Sequence, residues 1–343
     1  MLFSSGIGTY LRNLIPFIES AFETTILVKS VDVKQAKERF SSRLIEVYAP
    51  VYSVLEQLVL PFAIPSSDLF WSPHYNIPLL PIKAKKRIVT IHDLCHLALP
   101  QFFPLIKRLP ASFILKQAVQ KSDLIVTVSE FSKKEIQRRL SSSDHNLQVV
   151  ANGVDNKKRK SNFSFAAGYL KKPYLLYVGN LKPHKNIDRL IDAFLLLPEK
   201  YELILVGRIF PLLKSSEGYK THPRIHFVGE VTEEELSAFY QKAEALVQPS
   251  LYEGFGLTPL EAMCFGCPVI ASHIEGLKET CGPAAYYVDP LSTSSMYRGM
   301  KEVLENGVLR DRLVRAGLQR KDCFSWKRSA EQMIELFLKE SLL

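Results

Sequence analysis

The chain has 343 residues, enough for two domains of ordinary size, and its 47% hydrophobic content is that of a globular protein rather than a disordered one. Lysine and arginine outnumber the acids by a formal +9, and residues 1–150 carry the larger share, 18 basic against 12 acidic side chains. No nucleic-acid motif accompanies this excess, so it points to an anionic lipid surface, an acidic acceptor or ordinary solvated surface. No run of 18 apolar residues and no signal peptide is evident, and five cysteines (95, 264, 267, 281 and 323) match a reducing compartment.

The chain opens on Gly6-Ile7-Gly8, followed by Tyr10, Leu11, Leu14 and Ile15 at helical spacing. Strands are predicted at Thr25–Val28, Leu44–Tyr48, Leu69–Trp71, Ile88–Ile91, Leu124–Val128 and Gln148–Val150, with helices such as Ser132–Leu140 between some of them. This alternation argues an α/β fold, a parallel sheet with helices on both faces. Ligands of such sheets bind beyond the carboxyl ends of the strands. One such end reads Ile91-His92-Asp93; another, Ser129-Glu130-Phe131-Ser132, reads as a helix cap with its first-turn acid. Residues 101–121 mix Phe102, Phe103, Leu105 and Ile106 with four basic side chains, which fits either an interfacial membrane contact or a helix packed on the domain. Two prolines argue against a continuous helix there.

Residues 153–172, with the basic run Lys157 to Lys160, read as a linker. The predicted domains are residues 1–160, joined by a C-terminal helix at about 326–343, and residues 170–325. The second opens with a strand, Tyr174–Val178, and the loop Gly179-Asn180-Leu181-Lys182-Pro183-His184-Lys185-Asn186. Lysines at a strand end suit a diphosphate. Glu233 to Glu235 after Thr232 read as a capped helix start.

The most informative stretch is Tyr252 to Val269. Glu253 and Glu261 stand eight residues apart around Gly254-Phe255-Gly256, and a helix start is signalled at Thr258-Pro259, with Gly266 closing the helix. A strand end, a glycine turn and a helix N-terminus together form an anion site, and two flanking carboxylates suit sugar hydroxyls. Cys264 and Cys267 form C-x2-C without a second pair, so zinc is not expected.

Ser250 to Ser272, SLYEGFGLTPLEAMCFGCPVIAS, is similar to the E-x7-E region of the retaining glycosyltransferases of family 4. The resemblance implies the GT-B fold, two Rossmann-like doubly wound domains facing across a cleft. It covers essentially the whole chain, with one departure. Family members carry a buried strand ahead of the first glycine loop, and only Met1 to Ser4 precede it here, so the first domain is expected to lack its first strand through a late-assigned start or a truncation. By resemblance, Glu253 lies by the donor sugar with His92, Glu261 binds the nucleotide ribose, and Lys185 binds phosphate with the backbone of Gly254, Phe255, Gly256 and Leu257. Gly6 and Gly8 lie near the donor phosphates, Val231 lies against the base, and Lys182 is a second basic candidate. The expected reaction moves a hexose, mannose favoured by the NLKPHKN and HDL motifs, from a nucleoside diphosphate sugar to a glycan or lipid-linked acceptor. No cofactor or metal is expected, and the expected site of action is cytoplasmic, peripheral at the inner membrane face. The alternatives are an inactive nucleotide-binding relative and a GT-B sugar-nucleotide epimerase.

Overall fold

A computed structural model describes residues 2, 5–140, 146–155, 168, 169, 172–208, 219 and 221–342. The chain forms two compact units, Met1–Gly153 with Trp326–Leu343, and Val154–Ser325. Gly153 thus stands at the first crossing between units, while the basic run 157–160 lies outside the described residues.

Unit 1 runs α1 Ser5–Ala21, β1 Thr25–Lys29, α2 Val33–Arg39, β2 Arg43–Val47, α3 Val54–Ala63, β3 Ser67–Ser72, β4 Ala84–Ile91, α4 Cys95–Ala98, α5 Leu105–Lys121, β5 Leu124–Thr127, α6 Glu130–Leu140 and β6 Leu147–Val149. Every predicted strand is present to within a residue or two at most ends. Among the described residues the strands fall into two parallel sheets: β1 pairs only with β2, and β3, β4, β5 and β6 follow in order. The core of the larger sheet gathers Val89, Ile91 and Ile125 with Ile77, Leu115, Ala118 and Ile136.

Two local expectations fail here. Gly6 and Gly8 lie inside the first turns of α1 rather than in a loop. Burial of Tyr10, Leu11, Leu14, Ile15 and Ile18 on one helical face carries the helix back through the glycines, against a helix cost of about 1 kcal/mol each. Likewise α5 is continuous through Pro110. Pro110 lies on the exposed side, so the carbonyl it leaves unpaired meets water, while Leu115, Ala118 and Val119 anchor the second half of the helix. The cap read at Ser129 is present: its hydroxyl accepts the Ser132 N–H at 3.0 Å.

Unit 2 runs β7 Tyr174–Val178, α7 Ile187–Leu195, β8 Glu202–Val206, β9 Ile225–Gly229, α8 Glu233–Lys242, β10 Ala245–Gln248, α9 Leu257–Cys264, β11 Val269–Ser272, α10 Glu275–Cys281, β12 Ala285–Val288, α11 Thr293–Glu305 and α12 Gly307–Lys321. One parallel sheet holds all six strands, in the order β12-β11-β10-β7-β8-β9. Strands β7, β8, β10 and β11 are buried along their whole length, as strands covered on both faces must be. Thr232 and Glu235 form a reciprocal capping box at the start of α8.

The last helix, α13 Trp326–Leu342, belongs to unit 1. Its Trp326 and Phe337 meet Tyr10, Phe22 and Trp71 at ring separations of 5.6–6.2 Å, and Met333 takes the Tyr10 hydroxyl at 4.0 Å. Phe337→Ala is expected to cost unit 1 about 3–5 kcal/mol, read as a lower melting temperature, because the ring it removes is buried against Phe22 and Trp71. An unchanged melt would show that α13 does not support the unit.

Candidate functional site

Strand β7 is the first of unit 2, and the chain proceeds from it outward in one direction to β8 and β9, then in the other to β10, β11 and β12. The pair β7–β10 is therefore the point where strand order reverses, the place where open parallel sheets bind ligands. The loops leaving the carboxyl ends of these strands carry the motifs singled out by sequence.

After β7 the chain makes a one-turn helix, Pro183–Lys185, and Asn186 adopts a left-handed conformation at φ +62° before α7 begins. Asparagine accepts that conformation with little strain. Its side-chain amide donates to the carbonyls of Pro249 and Pro290 at 2.9 and 2.7 Å. The Leu251 N–H donates to the His184 carbonyl at 2.9 Å. The loops after β7, β10 and β12 are thus tied into one rim.

On this rim Lys185 Nζ donates to Glu253 Oε1 at 2.6 Å. The same oxygen accepts from Gln248 Nε2 and Ser250 Oγ, both at 2.7 Å. Burial pushes the Glu253 carboxyl up, but the Lys185 charge and the Lys185 and Ser250 hydrogen bonds outweigh it and hold the group below its ordinary value. Glu253 is therefore a carboxylate at neutral pH. Gln248 Oε1 is buried and has no partner among the described residues.

The turn that follows is built on Gly256, whose φ is +106° and where a Cβ would come within 2.7 Å of the Leu277 side chain. Both facts demand glycine. Gly254 and Phe255 are buried; the Phe255 ring meets Phe324 edge-on at 5.4 Å and its carbonyl accepts from Thr280. Helix α9 starts at Leu257, one residue ahead of the predicted Thr258, and Pro259 occupies its third position, where the missing N–H has no helical partner to lose. Gly266 closes the helix at φ +69°. Glu261, one turn into α9, accepts from the Tyr240 hydroxyl at 3.2 Å, and the Tyr240 ring is stacked on Phe265. Lys182 and Val231 lie on the loops after β7 and β9, at the same edge of the sheet.

His92 belongs to unit 1, at the carboxyl end of β4. Its Nε2 lies 2.9 Å from the Pro73 carbonyl, which can only accept, so Nε2 carries the proton. Burial lowers its pKa, and the imidazole is neutral at pH 7 with Nδ1 as an acceptor. The Tyr10 ring stands perpendicular to it at 4.8 Å. Gly6 and Gly8 also belong to unit 1, one turn ahead of Tyr10 on α1. Of the predicted residues, direct contact unites Lys185 with Glu253, and the chain itself carries Gly254, Phe255, Gly256, Leu257 and Glu261 on from there. Gln248, Ser250, Asn186 and Tyr240 act in the site without having been singled out. Ser250 had a signal, a hydroxyl just past a strand end; Tyr240, on another helix 21 residues from Glu261, had none.

Elsewhere, Cys267 and Cys281 are buried, and burial pushes their thiols up to about 12. Among the described residues, no three His, Cys, Asp or Glu side chains are grouped to hold a metal ion.

The ion pair has a pH signature. A carboxyl held below its ordinary value stabilises the fold above that value, and the contribution is lost as pH falls through the lowered one. Glu253→Gln keeps the shape and leaves Lys185 unpaired, so it should cost about 2 kcal/mol at pH 7. Melting curves from pH 7 to 3 should show the gap to wild type closing below about 4.5, the group's ordinary value. A gap of zero at pH 7 would remove the pair from the account.

Comparison with known proteins agrees with this geometry. The family model described as "Glycosyltransferase Family 4" matches residues 4–158, and that described as "Glycosyl transferases group 1" matches residues 158–320. The chain is 31% identical to the O-antigen chain mannosyltransferase RfbU of Salmonella typhimurium, over 77% of this chain and 72% of that protein. It is 29% identical to the O-antigen chain mannosyltransferase B of Escherichia coli, over 75% and 71%. Among solved structures, the sucrose-phosphate synthase of Thermosynechococcus elongatus superposes with a TM-score of 0.81 at 23% identity, over 98% of this chain and 94% of that one. Two parallel α/β units, a rim of polar side chains at the switch point of the second, and these matches place the chain in one family: it belongs to the GT-B glycosyltransferases.

Proposed function

We propose that the protein transfers a hexose, mannose first among candidates, from a nucleoside diphosphate sugar to a hydroxyl of a glycan or lipid-linked acceptor, with retention at the anomeric carbon. The observation that carries this reading is the Lys185–Glu253 pair on the rim at the β7–β10 switch point, beside a glycine turn and a helix N-terminus. Lys185 and the Gly254–Leu257 backbone hold the diphosphate, and Glu261 holds the ribose. Lys182 and the Val231 turn flank the nucleotide from neighbouring loops.

In the reaction the bond from the anomeric carbon to the diphosphate oxygen breaks, and the acceptor oxygen bonds to that carbon on the same face. The acceptor proton passes to the departing diphosphate. Lys185 and the α9 N-terminus meet the charge that develops there, a role that needs no metal. Glu253, fixed as a carboxylate, orients the sugar through its hydroxyls. His92, neutral and anchored on Pro73, offers Nδ1 as a hydrogen-bond acceptor to a hydroxyl and takes up no proton.

The acceptor side has a lipid partner in this reading. Helix α5 exposes Leu105, Ile106, Leu109 and Phe113, and α3 exposes Val54, Leu55, Leu58 and Phe62, the same spacing on each. Helix α5 also carries Lys107, Arg108, Lys116 and Lys121 and no acid. An apolar face with basic flanks suits an anionic membrane surface, the inner leaflet on the cytoplasmic side. Among the described residues no helix is long and apolar enough to cross a membrane.

Epimerisation has no support in the comparisons. A relative that binds nucleotide without turnover differs in one observable, product formed from nucleotide sugar and acceptor.

Thermal-shift measurements with GDP, UDP, ADP and TDP test the donor site. One nucleotide should stabilise the protein, and Glu261→Ala should weaken its binding by roughly 1–3 kcal/mol, the scale of a lost charged hydrogen-bond acceptor. No shift with any nucleotide would overturn the donor assignment. Vesicle co-sedimentation tests the lipid surface: anionic vesicles should retain the protein, neutral ones should not, and Ile106→Glu with Phe113→Glu should release it. Retention of that variant would place the contact elsewhere.

A further inference from the structure

Tyr52 is one of two non-glycine residues described with a positive φ, +63°, and unlike Asn186 its side chain gives no local reason for it. A tyrosine in that conformation is strained, and such strain persists where the surroundings impose it. The imposing group is Glu56. Its carboxylate accepts the Tyr52 N–H at 2.6 Å and the Asn76 side-chain amide at 2.7 Å, and Glu56 is itself buried. This arrangement holds outward a ring that remains 56% exposed.

The ring heads a row of five. Tyr52 meets His74 at 5.6 Å, His74 meets Tyr75 at 4.0 Å, Tyr75 meets His96 at 6.2 Å, and His96 meets Phe103 at 4.3 Å. The row lies past the carboxyl ends of β3 and β4, the edge at which such sheets bind ligands, and His92 stands on the same edge. The Asn76 N–H donates to His74 Nδ1 at 3.2 Å, so the His74 proton sits on Nε2. The Tyr52 hydroxyl oxygen lies beside the ring, 3.5 Å from Nδ1 and 3.3 Å from Nε2. Burial and the neighbouring histidines lower the His74 pKa to about 3, so the imidazole beside Tyr52 carries no positive charge at neutral pH, and Glu56 and Asp93 are the acidic groups acting on Tyr52. An anion is therefore disfavoured. An exposed aromatic ring with a phenolic hydroxyl and two acids beside it matches an uncharged pyranose, whose C–H face packs on the ring while its hydroxyls meet the polar groups.

We infer that Tyr52, with the His74–Tyr75 rings behind it and Glu56 holding its backbone, is the platform for a neutral sugar unit of the acceptor. This rests on the transferase reading above and adds the residues that select the acceptor.

Saturation-transfer NMR with methyl α-D-mannopyranoside tests it on the full chain and on two variants. Tyr52→Phe keeps the ring. Tyr52→Gly removes the ring and relaxes the backbone, because glycine adopts this φ freely. Saturation transfer to the glycoside should be present in wild type, persist in Tyr52→Phe and vanish in Tyr52→Gly, while the melting temperature of Tyr52→Gly stays level or rises. In transfer assays Tyr52→Gly should raise the acceptor KM by about tenfold and leave the donor KM unchanged. No glycoside signal in wild type, a signal surviving in Tyr52→Gly, or a melting temperature falling in that variant would overturn the platform. The nucleotide shift, read on the same samples, separates the two failures. If it is absent while the glycoside signal behaves as expected, the donor assignment falls and the sugar platform stands.

Discussion

The candidate site depends on one largely buried ion pair, between Lys185 and Glu253. A carboxylate taken out of water without a partner costs far more than a hydrogen bond returns, so Glu253 exists on its rim only because Lys185, Gln248 and Ser250 converge on one of its oxygens. Each of those donors comes from a different requirement of the fold. Lys185 needs the turn after β7, which needs Asn186 in a left-handed conformation, which needs the carbonyls of Pro249 and Pro290 from two other strand ends. The pair therefore locks the loops as much as the loops place the pair. In the proposed reaction a diphosphate arriving at Lys185 competes with Glu253 for the same ammonium. The carboxylate then serves twice, keeping the lysine ordered before the donor arrives and turning to the sugar afterwards.

The two units solve the same α/β problem differently. Unit 2 joins six strands into one sheet and buries its central strands from end to end. Its polar groups gather at one edge because the rest of the sheet has no water to offer them. Unit 1 divides its described strands between two sheets and leaves apolar side chains exposed on α3 and α5. Its compensation comes from the far end of the sequence. Trp326, Met333 and Phe337 close over Tyr10 and Trp71, and Thr90 links those two rings, accepting the Trp71 indole N–H at 2.9 Å and bonding the Tyr10 hydroxyl at 3.4 Å. The last helix is thereby part of the first unit's core.

Much of this was legible in the sequence because strand ends, glycines and carboxylates are local signals. The alternation of elements, the glycine turn, the end of α9 at Gly266 and the cap at Ser129 all follow from chemistry within a few residues. What was not legible is what distance in sequence hides. Glu253 and Lys185 meet across 68 residues, and Tyr240 reaches Glu261 from another helix. Gly6 and Gly8 were misplaced because local permissiveness was given more weight than the buried face that follows them. Pro110 was misread for a related reason: whether a proline breaks a helix depends on which side faces water, and residues 101–121 do not reveal that. The strain at Tyr52 is the extreme case, since tyrosine is an unfavourable residue for that conformation and the cause lies in Glu56 and Asn76.

The distribution of charge between the units follows the chemistry proposed for each. Breaking a bond to a diphosphate places negative charge on the leaving oxygen, and unit 2 supplies a lysine and a helix N-terminus at one rim. An acceptor hydroxyl starts neutral and needs alignment more than charge, and unit 1 supplies two neutral imidazoles with their protons fixed. His92 donates to Pro73, and His74 accepts from the Asn76 backbone. Burial lowers both pKa values, so neither becomes a cation on mild acidification. A neutral imidazole can orient a hydroxyl through hydrogen bonds without binding an anion itself, which is the alignment that the proposed acceptor chemistry requires.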